Sequence, residues 1–447
     1  MSINLGPDYP EQKDLEKLVS TTLELAQKNG ATTAEAGTGF SAGLNVTARL
    51  GEVETLEYNR DRSMGVTVYL GHRKGSASTS DWSNTAIEDT VKAACAIARH
   101  GGEDPCAGLA DKDRLATGII DLDLCHPWNL PAEKAIDLAR ECENEARRDK
   151  RISNSEGATV STRTGLNVYG NTHGFLAGYA ATRHSISCSV IANDRAGMQR
   201  DYWYTQARDA NDMEDVRAVG RKAAERTLQR LDARKLKTAQ VPVIFQADVA
   251  TGLFQHLISA LSGGNLYRKS SFLLDQLGKK IFPDFMEIIE RPHIMKALGS
   301  ASYDNEGVTT RERALIDSGV LQGYVLSSYS ARKLGMETTG NAGGIHNLQV
   351  GSSDFDLHGL IREMDRGLLV TELMGQGINI VTGDYSRGAA GFWVENGEIQ
   401  YPVEEITIAG NLSEIFRQVV HIANDVDMRG YIHTGSVLIE QMTLAGD

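Results

Sequence analysis

Histidine and carboxylate side chains are the groups most able to bind a metal ion or to catalyse hydrolysis, so their spacing is tested first. The chain has 11 histidines, and no two of them have the spacing of a metal-ligand pair on one predicted helix. His421 and Asp425 lie four residues apart on a helix predicted over residues 412–426, so both face the same side. Such a pair could hold a metal, but a polar pair on a helix surface is the more ordinary interpretation.

Serine and glycine patterns give no clear hydrolase or nucleotide-binding signature. No Gly-x-Ser-x-Gly motif is present, and Ser386 has no histidine beside it, although a triad can assemble from distant residues. The glycine-rich runs 340–344 and 375–391 lack the lysine-hydroxyl ending of a phosphate-binding loop. Two interpretations stay open for these runs: close approach of the backbone to a bound peptide, or tight turns in a β domain.

The cysteines indicate the redox setting of the chain. Their number is odd, they are widely spread, and none forms a Cys-x-x-Cys pair; they are Cys95, Cys106, Cys125, Cys142 and Cys188. This pattern favours reduced thiols in the cytoplasm over a disulfide framework or a thiolate metal site.

One segment, residues 241–272, organises the positions considered below. An apolar run at 241–245 predicts a strand, and Asp248 is predicted as the N-cap of the helix that follows. Apolar residues then recur at spacings of three and four, which predicts a helix with one buried face; they are Val249, Leu253, Phe254, Leu257, Ile258 and Leu261. Glycines at 263 and 264 predict its end.

The remaining patterns predict an α+β protein with two domains. Helical periodicity at 11–29, 84–99, 131–148 and 215–231 is mixed with runs of alternating strands, without regular β-α-β repetition. The polar segment 232–240 is predicted as the boundary. We predict an N-terminal α+β domain with antiparallel strands over residues 1–236, and a β-rich, barrel-like domain over 237–447 that carries the helix after residue 248.

Composition excludes several classes of partner. The net charge is −13, and an acidic surface of this kind repels phosphate backbones and anionic lipids. No apolar run approaches the roughly 18 residues that would span a bilayer. The first eight residues have neither a basic start nor an apolar centre, so they do not predict a signal peptide. We therefore expect no nucleic-acid or membrane partner.

Several longer runs resemble one known family. They cover residues 75–78, 104–108, 329–335, 340–347 and 375–393, and the similarity continues over nearly the whole chain. On these runs the chain resembles the TldD/PmbA family, a two-subunit zinc peptidase system. The resemblance implies that peptides are cleaved in a cavity shared by both subunits.

The zinc ligands of that family are not matched here. One subunit type, TldD, carries His-Glu-x-x-x-His, and the matching positions are Gln255, His256 and Ala260. A glutamine amide is a poor zinc donor and an alanine methyl is none. The family's third ligand, a cysteine, would fall near Thr434 and Gly435, where this chain has none. The chain therefore resembles the partner subunit, the PmbA (TldE) type, with no metal or other cofactor in this chain and zinc expected in the partner.

Five polar loop residues next to the family-specific runs are candidates for lining the peptide cavity. They are Arg268, His346, Asn347, Asp384 and Arg387. An extended peptide can also bind by adding a strand to a sheet edge, which the β-rich half could supply.

Three hypotheses follow from these patterns. In the first, the chain is the PmbA-type subunit of a cytoplasmic zinc metallopeptidase, pairs with a TldD-type subunit in a heterodimer, and acts on unfolded peptides. In the second, it is an autonomous metallopeptidase with unrecognised ligands. In the third, it is a regulatory protein that acts on gyrase or on an RNA-binding regulator. Isolated chains could also pair as homodimers.

Overall fold

The computed structural model describes residue 5, residues 9–195 and residues 197–446. Residues 1–8, for which the sequence predicts no signal peptide, therefore lie outside the described residues except for residue 5. None of the described helices combines the length and the apolar composition that a membrane-spanning helix needs.

The N-terminal half is one long antiparallel sheet with helices on one face. Its described strands run in the order β3-β2-β1-β4-β5-β6. Their bounds are β1 Thr33–Arg49, β2 Glu52–Leu70, β3 Arg73–Thr79, β4 Ile152–Asn171, β5 Leu176–Asn193 and β6 Met198–Ala207. The helices that cover the sheet are α1 Gln12–Lys28, α2 Asn84–His100, α3 Ala132–Ala146 and α4 Val216–Gln229.

Strict alternation decides which face of this sheet is covered. Successive side chains of a strand point to opposite faces, so residues two apart share a face. Leu44 and Val46 of β1 and Val160 of β4 are buried in one apolar cluster with Ala139 of α3 and Ala223 of α4. The intervening positions face away from the helices, and they form the polar face discussed below.

The C-terminal half is built on a closed barrel of five strands. Strands β14, β13, β12, β7 and β17 pair in sequence, and β14 pairs again with β17 to close the ring. Strand β7 is parallel to β12 and antiparallel to β17. The bounds are β7 Ala239–Phe245, β12 Gly367–Met374, β13 Asp384–Glu395, β14 Glu398–Asn411 and β17 Val437–Ala445, with β15 Val419–Ile422 beside β17.

A smaller sheet and short helices complete this half. The small sheet has the order β10-β9-β8-β11-β16. Its strands are β8 Ile288–Glu290, β9 Arg313–Asp317, β10 Val320–Leu321, β11 Leu348–Val350 and β16 Ile432–His433, and the helices are α5 Ala247–Leu261, α6 Gly263–Tyr267, α7 Ser328–Leu334, α8 Leu357–Met364 and α9 Leu412–Arg417. The largest apolar cluster joins α5 to the barrel and to the small sheet.

The predicted fold class is confirmed, including the antiparallel strands and the barrel in the C-terminal region. The division into domains at residues 236 and 237 stays a prediction. The backbone of Arg234 already pairs with the barrel, because its N–H donates to the carbonyl of Pro402 at 2.9 Å.

Two local predictions are wrong. The helix predicted over residues 412–426 ends at Arg417, and Val419 begins β15, which pairs with β17. His421 and Asp425 therefore do not share a helix face, and the metal pair considered for them does not form. The second concerns residues 377–383, where the apolar residues Ile378, Ile380 and Val381 predict a strand, but the segment makes only an isolated bridge from Ile378 to Tyr385.

Candidate functional site

Helix α5 begins directly after barrel strand β7. Its N-cap is Gln246, which makes no capping hydrogen bond through its side chain, so the predicted N-cap role of Asp248 is wrong. Asp248 lies in the first turn, and its carboxylate instead pairs with Arg226 Nη1 at 3.1 Å. Buried apolar residues, among them Leu253, Phe254 and Leu257, fix the helix against the barrel.

The three residues at the family's metal-motif positions lie in different surroundings. Gln255 is half-buried, and its Oε1 accepts a hydrogen bond from the Tyr431 hydroxyl at 2.8 Å. Ala260 is fully buried in the apolar core. His256 is half-buried beside Tyr385, with 6.1 Å between the ring centroids and an interplanar angle of 66°.

The environment of His256 favours its neutral form. Burial, and secondly the positive charge of Arg387, lower the pKa of His256. Burial raises the pKa of Tyr385 to about 12, against the opposing effect of Arg387. The Nε2 atom of His256 is buried and has no hydrogen-bond partner among the described residues.

These residues do not fit a zinc ion. Zinc sites use three or four thiolate, imidazole or carboxylate ligands, and within the described residues no group of three such side chains converges. The Gln255 oxygen is already bonded to Tyr431, and Ala260 offers only a methyl group. The one imidazole of the motif, on His256, lies in the positive field of Arg387, which opposes a divalent cation.

The lowered pKa of His256 predicts acid sensitivity that depends on this residue. An unfolded histidine titrates near pH 6.5, so below that pH the unfolded chain takes up a proton that the folded chain resists. The stability contributed by neutral His256 is therefore lost as the pH falls. We expect His256→Leu to reduce the decrease in melting temperature between pH 7.5 and pH 5.5.

His358, which is exposed on α8, supplies the matched control. The variant His358→Gln should show the same acid-induced decrease in melting temperature as the unchanged chain. An equal decrease for the His256→Leu variant would contradict the argument from burial.

A cleft of about 300 Å³ lies beside the first turns of α5, between β6 and the barrel. The charged and aromatic residues that line it are Asp201, Tyr202, Trp203, Tyr204, Arg226, Asp248, Glu372, Arg387 and Arg429. The cleft therefore combines residues of both halves of the chain with the helix at the metal-motif position.

Most charges in this cleft are compensated within the chain. Arg226 bridges Asp201 at 3.3 Å and Asp248 at 3.1 Å, while Arg230 pairs with Glu372 at 2.5 Å. Burial raises the pKa of Asp248, and Arg226 acts against that effect. These pairs join α4, β6, α5 and β12, and so connect the two halves.

Two arginines of the cleft differ in how they are held. Arg429 pairs with Asp427 at 2.9 Å, and its guanidinium carbon lies 3.9 Å from the centroid of the Trp203 ring. Arg387 donates from Nη2 to the carbonyl of Leu373 at 3.2 Å, but it forms no ion pair with a described carboxylate. Its Nε is buried without a partner in the described part of the chain. Arg387 is thus the guanidinium of the cleft best placed to meet a ligand carboxylate.

His346 and Asn347, two of the cavity candidates, lie inside the C-terminal half. Both the backbone N–H and Nδ1 of His346 contact Glu290 Oε1, at 2.7 and 3.1 Å. Asn347 is fully buried, and its side chain bonds to Arg291, Gly299 and Ser300. The structure therefore assigns both side chains a role in internal hydrogen bonding.

The other candidates lie at the surface or in the cleft. Arg268 is exposed and stacks on the Tyr267 ring, with its guanidinium carbon 5.4 Å from the ring centroid. Asp384 is exposed at the start of β13 and accepts a hydrogen bond from the Thr382 hydroxyl at 2.6 Å. Of the five candidates, Arg387 is the one that the cleft beside α5 includes. Their role as a set in lining a peptide cavity stays a prediction.

Sequence reasoning missed the residues of β6 that form the other side of the cleft. Asp201, Tyr202, Trp203 and Tyr204 are consecutive, and this density of aromatic residues on a predicted strand was the available signal. Their proximity to α5 depends on the packing of the two halves, which no local pattern reports.

Comparison with known proteins identifies the family. Three domain profiles of the PmbA/TldA metallopeptidases match: domain 1 at residues 39–98, the central domain at 125–231 and the C-terminal domain at 238–446. The protein Metalloprotease PmbA of Escherichia coli O157:H7 is 52% identical over 437 residues, covering 98% of this chain and 97% of that protein. A Metalloprotease TldD homolog of Haemophilus influenzae is 23% identical, covering 85% and 82%.

Solved structures share the fold of this chain. A candidate modulator of DNA gyrase from Bacteroides thetaiotaomicron superposes with a TM-score of 0.92 at 29% identity, over 97% of this chain and 99% of that one. TldE from Thermococcus kodakarensis shares the fold, with a TM-score of 0.83 at 21% identity over 96% and 99%. The domain matches and the identity over nearly the full length establish that this chain belongs to the PmbA/TldD metallopeptidase family, on its PmbA side.

Proposed function

We propose that the chain is the PmbA-type (TldE-type) subunit of a cytoplasmic zinc metallopeptidase that cleaves unfolded peptides. Its partner in this proposal is a TldD-type subunit, which carries the zinc in a heterodimer. The observation that carries the proposal is the unsuitable donor set on α5, where Gln255, His256 and Ala260 occupy the metal-motif positions.

Three further observations support this proposal. The chain is far closer in sequence to a PmbA protein than to a TldD homolog, at 52% against 23% identity. All five cysteines are free thiols, which agrees with a reducing compartment. The positive charge of Arg387 beside His256 opposes a cation at the one imidazole of the motif.

The division of labour in the proposed enzyme follows from these residues. Zinc in the partner would polarise the scissile carbonyl and activate water. This chain would close the chamber and hold the peptide, for which it offers the cleft around Arg387 and the polar face of the N-terminal sheet. Neither surface requires a folded substrate, since an extended chain can bind through its backbone and a few side chains.

Co-expression with the cognate TldD-type subunit tests the proposal. We expect the two chains to co-purify, with about one zinc ion per heterodimer from the single proposed site. An unfolded peptide should be cleaved by the pair but by neither chain alone. Equal cleavage by the TldD-type subunit without this chain would contradict the chamber-forming role.

Metal content and binding partners separate the alternatives. Stoichiometric zinc and peptide cleavage by the isolated chain would favour an autonomous peptidase. Capture of gyrase or of an RNA-binding regulator in place of a TldD-type chain would favour the regulatory hypothesis.

A further inference from the structure

The face of the N-terminal sheet opposite the helices has an unusual composition. Small and polar residues dominate its centre: Gly39, Ser41 and Gly43 of β1, Gly165 and Asn167 of β4, and Ala181 of β5. Loops of the C-terminal half border this face, because the Tyr303 ring meets the Tyr179 ring at 5.9 Å between centroids. The result is an open polar floor next to the C-terminal half.

Two arginines stand directly opposite each other on this floor. Arg163 of β4 and Arg183 of β5 are partners in the antiparallel register, and both are exposed. Like charges at directly opposite positions are destabilising, since side chains there lie only about 5 Å apart at Cβ. A repulsive pair of this kind needs an explanation in a chain whose acidic residues outnumber its basic ones, 59 to 46.

Neither guanidinium is neutralised by an ion pair with a described carboxylate. Arg163 Nη2 donates to the hydroxyl of Ser41 at 2.8 Å, and Arg183 Nε donates to Gln206 Oε1 at 3.1 Å. Both partners are neutral, so the two charges remain available. Gln206 is itself held in place, because its amide donates to the carbonyl of Arg429.

The surrounding cavity has an excess of positive charge. It measures about 450 Å³, and its charged lining residues are Arg163, Arg183, Arg208 and Asp61. Arg208 has a structural role, because its guanidinium donates hydrogen bonds to the backbone carbonyls of Thr182, Ala297 and Leu298. Asp61 is exposed and supplies the only carboxylate among these lining residues, against three guanidinium groups.

We propose that Arg163 and Arg183 form a carboxylate-binding site for peptide substrates. A guanidinium presents a planar fork of donors that matches a carboxylate in two parallel hydrogen bonds. Arg163 leans toward Ser41 of β1 and Arg183 toward Gln206 of β6, and both are exposed side chains on neighbouring strands that can turn toward one carboxylate held between them. The small residues Gly165 and Ala181 leave the floor beside the pair open, so an extended peptide can lie along it. The site receives either the C-terminal carboxylate of a peptide or an acidic side chain. This inference rests on the proposed peptide-binding function and adds a preference for acidic groups.

Direct binding of labelled peptides tests the site. The probe is an unfolded peptide labelled with an uncharged fluorophore, with one internal glutamate and a free C-terminus, measured by anisotropy with the full-length chain. A second form has an amidated C-terminus, a third has the glutamate changed to glutamine, and a fourth has both changes. We expect the fourth form to bind about tenfold more weakly than the first, and the single changes to show which carboxylate is recognised.

Substitution of the pair should remove this discrimination. In the variant Arg163→Gln/Arg183→Gln we expect all four peptides to bind weakly, with about the affinity that the fourth form has for the unchanged chain. The control Arg200→Gln alters an exposed arginine of the same sheet that pairs with Glu156, and should retain the preference. Because the double variant removes a like-charge pair, we expect its melting temperature not to fall, so a loss of binding would report on the site.

The outcomes separate this inference from the proposed function. If the unchanged chain binds peptides but does not distinguish the first form from the fourth, or if the double variant keeps the preference, the carboxylate site is wrong. If the chain shows the preference but no TldD-type subunit co-purifies with it, the carboxylate site stands and the subunit role is wrong. The last case is that no peptide form binds, either to the isolated chain or to its complex with the TldD-type subunit when a chelator prevents cleavage. The carboxylate site and the proposed peptide-binding function would then both be wrong.

Discussion

Replacing Glu290 with alanine is expected to destabilise the chain by about 3–5 kcal/mol, the usual cost of removing one partner from a buried ion pair. Glu290 is buried and Arg313 is half-buried, with Arg313 Nε 2.8 Å from Glu290 Oε2 and side-chain exposures of 12% for the arginine and 2% for the glutamate. The other carboxylate oxygen accepts from Asn341 Nδ2 and from the backbone N–H of His346, each at 2.7 Å. The variant would leave Arg313 Nε, Asn341 Nδ2 and the backbone N–H of His346 without the carboxylate that accepts from them.

Thermal unfolding measures this effect, and the neighbouring Glu312 supplies the control. The side chain of Glu312 is 62% exposed and pairs with Arg291 at 3.5 Å. Exposed pairs of this kind contribute about 0–1 kcal/mol, so Glu312→Ala should melt close to the unchanged chain. If the Glu290→Ala variant had the same melting temperature as the Glu312→Ala variant, the central role of the buried network would be refuted.

The same network predicts the direction of its pH dependence. Burial acts to raise the pKa of Glu290, but the hydrogen bond from His346 and the charge of Arg313 outweigh it, and the pKa is lowered. A depressed carboxyl pKa contributes stability that is present above the unfolded value of about 4.3 and is lost as the pH falls through the folded value. The loss of unfolding free energy caused by Glu290→Ala should therefore be largest at neutral pH and should shrink as the pH falls below about 4.3.

This network also explains why residue type alone could not separate structural from functional residues. His346 and Asn347 were chosen as cavity candidates because they are polar and lie in a glycine-rich, family-specific run. The side chains of both residues form hydrogen bonds with neighbouring segments of the same chain. Asn347 also has a positive φ of 38°. A histidine or asparagine that organises a loop and one that contacts a peptide look identical in sequence.

The elements that sequence reasoning predicted well are those set by local patterns. Helices α1, α2 and α4 follow from apolar periodicity, and Asp215 caps α4 by accepting from the backbone N–H groups of Arg217 and Ala218. The dipeptide Asn396-Gly397 predicts a tight hairpin turn, and both residues have the positive φ that this turn needs, 55° and 69°. Each of these features is decided within a few residues.

The features that it missed depend on contacts between distant residues. Val419 and Val420 continue a helical pattern, but pairing with β17 holds them in a strand, where β-branched residues pack well. The cleft beside α5 combines residues 201–204, 226, 248 and 429, which only the tertiary fold brings together. The side chains at positions 255, 256 and 260 could be judged unsuitable for zinc from the sequence and its family resemblance. The nearness of Arg387, whose positive charge opposes a cation at His256, could not.

Restoring the family motif in this chain is expected to destabilise it without creating a zinc site. The variant is Gln255→His/His256→Glu/Ala260→His. Ala260 is fully buried in the apolar core, so an imidazole there overfills the core and buries a polar group, at a combined cost of about 2–5 kcal/mol. The new glutamate at position 256 would also lie near Arg387, which would compete for it as a salt-bridge partner.

Geometry argues against zinc binding in this variant. Residues 255 and 260 are five apart on the α-helix Ala247–Leu261, so their side chains differ in direction by about 140° unless the helix widens. The third ligand is hindered at Gly435, one of the two residues near which it would fall, because a Cβ there would lie 1.8 Å from the carbonyl oxygen of Ala423. A cysteine cannot enter there without moving the backbone.

Metal content and melting temperature of this triple variant, after equilibration with zinc and dialysis, measure the expected result. We expect much less than one zinc ion per chain, a lower melting temperature, and no peptide cleavage by the variant alone. Gln255→His is the control, because it changes a half-buried position and loses only the bond from Tyr431, about 1 kcal/mol. Stoichiometric zinc in a stably folded triple variant would contradict this expectation, and it would show that neither the core nor Arg387 opposes the ion.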